Sequence, residues 1–475
     1  MDLKRIVKET LGDPVLSKLS NLAKEEGIPF FLVGGYIRDL LLGTLRPAYL
    51  QAGKDYDFTL PKEASSFISF IEEALHLRFF KVGKEETGTL TYRIIKDDMS
   101  IDLTLFQGED IDEDLQRRDF TINAIAFSLR DETFHWVERA LEDIEKRVIR
   151  TVSNHSIDQD PLRMLRAIRY LCTLDGFTMD TAVKEEISQK KELARKLPGE
   201  RVKMELDHIL LSFRPAVGMR SLYQTRLLLI LLPELRGLEH LGQSEHHHLD
   251  VLSHTLLMVE KIPWAIEWTT FHEREIPLNQ EDRLSLYYAT LFHDIGKQDT
   301  YSKDEKGRVH FYHHETFSCQ RAEGMMEKLR FSNSMKHRIL RLIQNHMRIL
   351  NLSRETKESA LKRLVNQMGD ETPLLVFLTI ADKEASRGIL SIQIDDVVED
   401  HCLRVLKLFK EKEIVHPPPL ITGHDVMALG YPSGPEVGQI LRFIQEKQVE
   451  GEIKTREEAL EVLRERFASG QDSFN

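Results

Sequence analysis

Residues 30–60 carry the pattern that decides the fold, beginning FFLVGGYIRDLLLG and ending KDYDFTL with a polar loop between them. An apolar run, a Gly-Gly pair, an amphipathic run and a second β-prone run predict a strand, a tight turn, a helix and another strand. Further strands are expected at residues 88–95 (GTLTYRII) and 100–106 (SIDLTLF), and the pattern turns helical from Arg118 onward. The sequence therefore predicts an α+β chain, with a small mixed sheet and helices first and an all-α remainder.

Two aspartates alternate along the second strand of this pattern. Because the side chains of a strand alternate between its two faces, Asp55 and Asp57 point the same way and can bind hard cations together. Mg²⁺ prefers oxygen ligands, and two such ions activate an attacking hydroxyl and neutralise a leaving pyrophosphate. The Gly34-Gly35 pair lets the backbone approach a triphosphate closely, with the N–H groups of the next helix directed at the phosphates. The pattern therefore predicts a two-metal phosphoryl-transfer site.

The order of these elements resembles the polymerase-β-like nucleotidyltransferases. The shared features are a Gly-Gly turn, Arg38-Asp39 in the following helix, and Asp55 with Asp57 on the next strand. Asp102, on the later strand SIDLTLF, is placed like the third carboxylate of that superfamily. The resemblance implies a polymerase-β-like head in which Asp55, Asp57 and Asp102 are catalytic. It also implies two Mg²⁺ ions, held by Asp55 and Asp57.

Four further motifs follow the aspartate-bearing strands. They are RRDFTINAIA (117–126), ALEDIEKRVIR (140–150), QDPLRMLRAIRY (159–170) and GERVKMEL (199–206). With them, almost the whole chain resembles the class II tRNA nucleotidyltransferases, the family of bacterial CCA-adding enzymes and poly(A) polymerases. Ala140 and Gln159 depart from this family, in which Gly and Glu are usual at the two positions. The nucleotide-binding residues that the resemblance implies are Gly34, Gly35, Arg38, Arg118, Asp119, Asn123, Asp160, Arg163, Arg166 and Arg169.

The third of these motifs also suggests a chemical basis for base selection. On a helix, Asp160 and Arg163 would lie on one face, with an acceptor beside a fork of donors. Cytosine and adenine each present an exocyclic amine next to a ring-nitrogen acceptor, whereas uracil and guanine present a carbonyl oxygen next to an N–H. The pair therefore predicts a protein template for C and A, its alternative being a surface salt bridge. Arg166 and Arg169 continue the same face toward RNA.

A second constellation of metal-binding residue types lies in helical surroundings in the carboxyl-terminal half. The segments HHHLDVLSHTL, LFHDIGK, FYHHET, RLIQNHMR and TIADKEAS are together similar to the HD phosphohydrolase superfamily. The resemblance implies a divalent metal of open identity, held by mixed nitrogen and oxygen ligands, and either hydrolysis of a phosphomonoester or cyclic phosphate or a scaffold for RNA. The implied ligands are His254, His293, Asp294, His314, His346 and Asp382.

Composition limits the choice of partners and compartment. The net charge is −12, from 77 acidic and 65 basic residues, which argues against nucleic-acid binding unless the basic residues cluster. They do cluster, at Arg117/Arg118, in residues 163–169 and in residues 190–203. The three cysteines form no CxxC pair, and the longest apolar run, residues 227–232, is too short to span a bilayer. We expect a cytoplasmic protein that binds a tRNA 3′ end, CTP and ATP, and neither a membrane nor DNA.

Breaks in the pattern suggest four domains. These are a catalytic head (1–150), a helical neck that selects the nucleotide and binds RNA (151–240), an HD-like domain (241–412) and a helical tail with a tRNA-contact role (413–475).

Three functions fit these motifs. The first is maturation of the tRNA 3′ end, in which the short segment QGEDIDEDLQ before RRDFT favours a CC-adding enzyme over complete CCA addition, with A addition third. The second is a poly(A) polymerase, which would make an A homopolymer on many RNAs. The third is an HD phosphohydrolase with a vestigial head, against which the intact Asp55, Asp57, Arg118 and Arg163 speak.

Overall fold

The computed structural model describes residues 3–43, 54–83, 90–106, 108–243, 249–273, 275–386, 395–411 and 417–467. The chain divides into two compact units, Met1–Leu197 with Ser221–Ile230 and Pro198–Arg220 with Leu231–Asn475. The start of the strand predicted at residue 88 and the domain boundary predicted at 412/413 lie outside the described residues. The division into four domains stays a prediction.

The first unit is built around a mixed β-sheet. Its strands are β1 Phe31–Val33, β2 Lys54–Leu60, β3 Phe80–Val82, β4 Thr91–Lys96, β5 Met99–Leu105, β6 Ile125–Ser128 and β7 Phe134–Trp136. The order is β3-β4-β5-β2-β1-β6-β7, and only β2 and β5 are parallel neighbours among the described strands of this sheet. The aspartate-bearing strand β2 is therefore central, flanked by β1 and β5.

Helices and one short strand pair complete the first unit. The helices are α1 Leu3–Gly12, α2 Pro14–Glu25, α3 Gly35–Leu42, α4 Phe67–Leu75, α5 Ile111–Gln116, α6 Ala140–Lys146, α7 Ser156–Gln159, α8 Arg163–Thr173 and α9 Thr181–Lys190. The strand pair is β8 Val148–Ile149 with β9 Thr178–Met179. Stacked Phe30 and Phe58, 4.8 Å between ring centroids, lie in the core beside the sheet. Asp13 caps α2 and also accepts a hydrogen bond from the buried Tyr56 hydroxyl at 2.9 Å, which ties α2 to β2.

The second unit is almost entirely helical. Its helices include α10 Gly199–Leu210, α13 Val251–His272, α14 Gln280–Phe292, α15 Lys297–Thr300, α16 His314–Lys328, α17 Asn333–Asn345, α18 Met347–Leu350, α19 Glu358–Met368, α20 Thr372–Ala385, α21 Asp395–Phe409, α22 Gly423–Met427, α23 Pro435–Glu450 and α24 Arg456–Phe467, with α11 Pro215–Gln224 and α12 Leu228–Leu231 falling at the division between units. A hairpin joins β10 Tyr301–Lys303 to β11 Val309–Phe311. Every residue of α20 is buried, because its sequence TPLLVFLTIADKEA is apolar on nearly all sides and α13, α14 and α21 pack around it.

The prediction of an α+β chain with a small mixed sheet at the amino-terminal end and a helical remainder is confirmed. None of the helices in the described part of the chain combines the length and the apolar character that crossing a bilayer requires.

Candidate functional site

The register of the central strands brings the three predicted catalytic aspartates to one face of the sheet. In the parallel pairing of β2 with β5, Asp57 is the partner of Asp102 and Asp55 the partner of Ser100. Paired residues of adjacent strands point to the same face, as do residues two apart on one strand. Asp55, Asp57 and Asp102 therefore share a face.

A cavity of about 290 Å³ lies over this face. The predicted residues that line it are Gly34, Gly35, Asp57, Asp102, Arg118, Asn123 and Arg166. The other predicted residues of the head and neck, Asp55, Arg38, Asp119, Asp160, Arg163 and Arg169, are not among its lining residues. The cavity wall thus combines two carboxylates with two guanidinium groups.

Gly34 forms the tight turn between β1 and α3. Its φ of 78° and ψ of −137° belong to a region that residues with a Cβ rarely adopt. A Cβ added there would also lie 3.3 Å from Asp57 Oδ2. The turn lets the amino-terminal end of α3 face the cavity directly, and a side chain at Gly34 would fill the space next to the carboxylate.

The carboxylates of Asp57 and Asp102, which both line the cavity, repel each other. Loss of hydration raises the pKa of Asp57 to about 6, and the negative charges of Asp102 and Asp55 add to this rise, whereas Arg118 and Arg166 oppose it. Asp102 is paired with Arg93, which no sequence motif had indicated. Bound cations with oxygen ligands would relieve this repulsion, so the donor set fits Mg²⁺.

Behind the cavity, the predicted residues Arg38 and Asp119 form a buried polar network. Arg38 Nη1 donates to Asn123 Oδ1 at 2.7 Å, and Asn123 Nδ2 donates to Asp119 Oδ1 at 3.1 Å. Asp119 Oδ2 lies 2.8 Å from Arg166 Nη2. Burial alone would raise the pKa of Asp119, but Arg166 and the hydrogen bond from Asn123 hold it below its ordinary value. The network fixes Asn123 and Arg166 at the cavity wall.

The helical conformation predicted for Asp160 is wrong. Asp160 lies between α7 and α8 with φ −145° and ψ 101°, an extended conformation. The physical reason is Pro161, because a residue before proline is disfavoured in the helical region. Asp160 Oδ1 accepts from Leu162 N at 3.1 Å, while Arg163 Nη2 donates to Arg117 O at 2.7 Å. Arg163 therefore braces the RRDFT segment through its backbone.

Tyr170 lines the cavity and was missed by sequence reasoning. Its hydroxyl accepts from Arg166 Nη2 at 3.3 Å, and the guanidinium carbons of Arg169 and Arg38 lie 4.8 and 5.3 Å from its ring centroid. Burial would raise the pKa of this phenol, yet Arg166 and Arg169 lower it overall. The spacing of four residues from Arg166 on one helix face was the available signal.

In the second unit, the structure brings all six residues of the second constellation into buried positions. Two groups of three have ligand atoms within 4.8 Å of one another and share Asp294: His254, His293 and Asp294, and Asp294, His314 and His346. Asp382, on the central helix α20, has Oδ1 3.2 Å from His254 Nε2. Within the described ranges, no other residues form such a group. The three head aspartates do not form one either.

The histidines of this cluster present their Nε2 atoms to a common centre. The Nδ1 atoms of His293, His314 and His346 lie 2.9, 2.8 and 2.6 Å from backbone carbonyl oxygens, which assigns their protons to Nδ1. His314 Nε2 then lies 3.1 Å from His346 Nε2 and 3.3 Å from Asp294 Oδ1. The Nε2 lone pairs of His314 and His346 thus face the carboxylate of Asp294 in the protein interior. Histidines that bind metals are commonly arranged in this way, with the second ring nitrogen held by a backbone carbonyl.

Burial and charge make this cluster electrostatically coupled. Burial lowers the pKa of His346 to about 3, and the neighbouring His293 adds to this effect. Burial would raise the pKa of Asp294, but His293 and Lys297, whose Nζ is 2.7 Å from Asp294 Oδ2, hold it well below its usual range. An ionised Asp294 beside a neutral His346 is the protonation state that coordination needs.

Comparison with known proteins agrees with both the sequence motifs and the fold. Family profiles described as "Poly A polymerase head domain", "RNA and SrmB-binding site of polymerase A" and "tRNA nucleotidyltransferase domain 2" match residues 30–150, 176–238 and 303–463. The CC-adding tRNA nucleotidyltransferase of Thermus thermophilus is 35% identical over 93% of this chain and 95% of its own length. The chain belongs to the tRNA nucleotidyltransferase family.

Further members of this family match the tRNA nucleotidyltransferase chain along most of its length. The A-adding tRNA nucleotidyltransferase of Deinococcus radiodurans is 31% identical over 90% of this chain and 93% of its own. A CCA-adding enzyme solved in complex with CTP has a TM-score of 0.63 at 21% identity and covers 99% of both chains, and thus shares the fold. The family predicted from the motifs is confirmed. Class II nucleotidyltransferases depend on divalent metal, in keeping with the carboxylate face of the cavity.

Proposed function

We propose that this tRNA nucleotidyltransferase extends tRNA 3′ ends without a nucleic-acid template, with the cavity over Asp55, Asp57 and Asp102 as its active site. The observation that carries the proposal is the shared face of the three aspartates, next to a cavity lined by Gly34-Gly35 and two guanidinium groups. Two Mg²⁺ ions held by Asp55 and Asp57, with Asp102 beside them, would activate the attacking 3′-hydroxyl and neutralise the leaving pyrophosphate.

The cationic wall suits the triphosphate of CTP or ATP. Arg118 and Arg166 line the same cavity as the carboxylates, and the ion pair with Asp119 holds Arg166 in place. Guanidinium forks bind phosphate oxygens through paired, charge-assisted hydrogen bonds. Asn123, held by Arg38 from behind, supplies a side-chain amide for the ribose hydroxyls. Binding and orientation of the nucleotide are thus assigned to groups with fixed positions.

Base selection is assigned to Asp160 and Arg163. Arg163 is anchored to the backbone of the RRDFT segment, next to Arg118 on the cavity wall. To read a base, the Arg163 guanidinium has to leave the backbone carbonyl oxygens and donate to the ring nitrogen of C or A. Asp160 then accepts a hydrogen bond from the exocyclic amine of the same base. Asp160→Ala should then blur selection among CTP, ATP and UTP more than it weakens triphosphate affinity. Unchanged selectivity in single-turnover competition would refute a protein template.

The proposed product is CC rather than CCA or A. Two observations support this choice: the short segment of residues 107–116 before RRDFT, and the Thermus relative, whose name is CC-adding. The decisive experiment supplies Mg²⁺, CTP and ATP to three tRNA transcripts, ending before CCA, after C and after CC. If the first transcript grows by two C residues and then stops, the enzyme adds CC. If it grows to CCA, the enzyme adds the complete triplet. If only the CC-ended transcript grows, the enzyme adds A. A long A ladder means a poly(A) polymerase.

The cluster of the second unit supports a second candidate function, a metal-dependent phosphohydrolase acting on phosphomonoesters or cyclic phosphates. The favouring observation is the set of convergent Nε2 atoms around the shared carboxylate of Asp294. Mixed nitrogen and oxygen ligands favour a transition metal. Asp294→Ala should lower the content of transition metal in the purified protein and abolish hydrolysis of p-nitrophenyl phosphate, a phosphomonoester, or of a 2′,3′-cyclic nucleotide, while nucleotide addition persists. Loss of both activities would mean that the substitution disrupts the fold.

A further inference from the structure

Arg93 makes a two-pronged ion pair with the third carboxylate of the head. It stands opposite Asp102 in the antiparallel pairing of β4 with β5. Its Nε donates to Asp102 Oδ1 at 2.6 Å and its Nη2 to Asp102 Oδ2 at 2.5 Å, so one guanidinium contacts both carboxylate oxygens. Bidentate pairs of this kind are the strongest form of arginine–carboxylate contact. Arg93 has no place in the nucleotide-binding assignments above.

The strand order explains why this pair matters for the cavity. Asp57, Asp102 and Arg93 lie side by side on β2, β5 and β4, with neighbouring strands about 4.8 Å apart. Asp102 therefore has a carboxylate neighbour on one side and a guanidinium on the other. In the described part of the head, the ligand oxygens of the three aspartates do not all lie within 4.8 Å of one another. Arg93 contacts both oxygens of Asp102, so a cation that binds Asp102 has to displace this guanidinium or share the carboxylate with it.

The ion pair is also accessible enough to open. The side chain of Arg93 is 37% exposed and that of Asp102 is 22% exposed. A guanidinium released from Asp102 can be hydrated, so the exchange does not leave a charge buried without a partner. A divalent cation that approaches the carboxylates therefore competes with the Arg93 guanidinium for the negative charge of Asp102.

We propose that Arg93 is a positioning residue that competes with the catalytic metal for Asp102 and so sets the concentration of divalent cation at which the head is loaded. The inference rests on the proposed metal-binding role of the three aspartates. Without the guanidinium, Asp102 is available to the metal from the outset. Removal of Arg93 therefore tightens metal binding, whereas an arginine that merely held Asp102 in its binding geometry would weaken metal binding when removed.

The test measures Mn²⁺ binding to the full-length chain without nucleotide, from the electron paramagnetic resonance signal of free Mn²⁺. The head site is defined as the binding that Asp57→Ala removes, which separates it from the histidine cluster. We expect Arg93→Gln to bind Mn²⁺ at the head about twofold to fivefold more tightly, the upper part of the range for opening a partly exposed charge pair. Arg93→Lys, which lacks the fork, should show a smaller gain.

Two comparisons isolate the cause. In an Asp102→Asn background, Arg93→Gln should produce no further tightening, because the competed carboxylate is gone. Arg130→Gln is the matched control, since Arg130 makes a similar forked contact with Asp131 near the opposite edge of the sheet, and it should leave Mn²⁺ affinity unchanged.

The outcomes separate this inference from the proposed function. Equal or weaker Mn²⁺ binding by a folded Arg93→Gln protein would overturn the role of Arg93. If circular dichroism shows that this variant does not fold, unchanged or weaker binding by Arg93→Lys overturns it instead. A failure of Asp57→Ala to remove any Mn²⁺ would refute the metal-binding assignment of the head itself.

Discussion

The charge cluster over the central strands should make the head less stable at neutral pH than it would be with a neutral side chain at position 57. Asp57 has a pKa of about 6 in the folded protein, above its ordinary value of 3.8. The folded state therefore binds more protons than the unfolded state between these two values, and stability falls as the pH rises through this window. Asp57→Asn removes the charge and this loss of stability.

The size of the effect follows from the shift. Two pKa units correspond to about 3 kcal/mol at most. The loss of hydration that raises this pKa is only partial, because residue 57 is still exposed and solvent screens its charge, so we expect about 1 kcal/mol. Asp57→Asn should thus raise the midpoint of the first unfolding transition by roughly 2–4 °C at pH 7.5. The gain should vanish below pH 4, where Asp57 is protonated in both states, and the variant should be inactive in nucleotide addition.

Thermal unfolding followed by circular dichroism, at pH 4 and 7.5 with and without Mg²⁺, tests this reasoning. Mg²⁺ should stabilise the parent and reverse the order of the two proteins, since a ligand of the folded state adds stability by mass action. Asp131→Asn is a control for which the effect on stability should have the opposite sign. The hydrogen bond from Arg130 lowers the pKa of Asp131, so the Asp131 carboxylate stabilises the folded protein above its unfolded pKa, and this stability is lost as the pH falls. The substitution should therefore lower Tm at pH 7.5 rather than raise it. A variant at position 57 that is no more stable than the parent at pH 7.5, or whose gain is independent of pH, would refute the argument.

Other substitutions test individual contacts. Tyr170→Phe removes a hydroxyl that accepts a hydrogen bond from Arg166. It should lower kcat/KM for CTP about fivefold, or about 1 kcal/mol, with little change in Tm. A clear fall in Tm with unchanged kcat/KM would instead mean that the contact stabilises the fold and does not help to bind the nucleotide. Gly34→Ala imposes a Cβ on a glycine-specific conformation and should destabilise the head by about 1–3 kcal/mol in urea unfolding, and a neutral result would contradict the turn geometry. Pro161→Ala relaxes the restriction on Asp160 and should reduce the preference for CTP over UTP in competition assays; an unchanged preference would separate backbone conformation from base choice.

The sequence predicted the parts of the head that depend on local rules. Alternation of side chains on a strand suffices to place Asp55 and Asp57 on one face, and the Gly-Gly pair marks the turn. The parallel pairing of β2 with β5 is a contact between distant segments, which periodicity does not specify. Asp102 was therefore assigned from the family resemblance, and its partner Arg93 was not found because nothing local marks an arginine on the next strand.

The neck shows how one local rule can override another. The three-residue interval of Asp160 and Arg163 suits a helix face, but Pro161 lies between them and restricts Asp160 to an extended conformation. The restriction that Pro161 places on Asp160 is visible in the sequence, and it predicts that α8 starts after Asp160. Tyr170, one turn beyond Arg166 on the same helix, follows the interval rule without interruption and reaches the cavity.

The two clusters of the chain differ in ligand chemistry, and this difference predicts a different metal preference for each. The head offers only carboxylate oxygens, which suit Mg²⁺ and bind transition ions without special preference. The second cluster offers imidazole nitrogens fixed by backbone carbonyls around Asp294, a donor set for which first-row transition ions outcompete Mg²⁺. Scarce transition metal should therefore occupy the histidine cluster, leaving the abundant Mg²⁺ for the head. One chain can then hold a Mg²⁺-dependent transferase site and a transition-metal site without either drawing the other's ion.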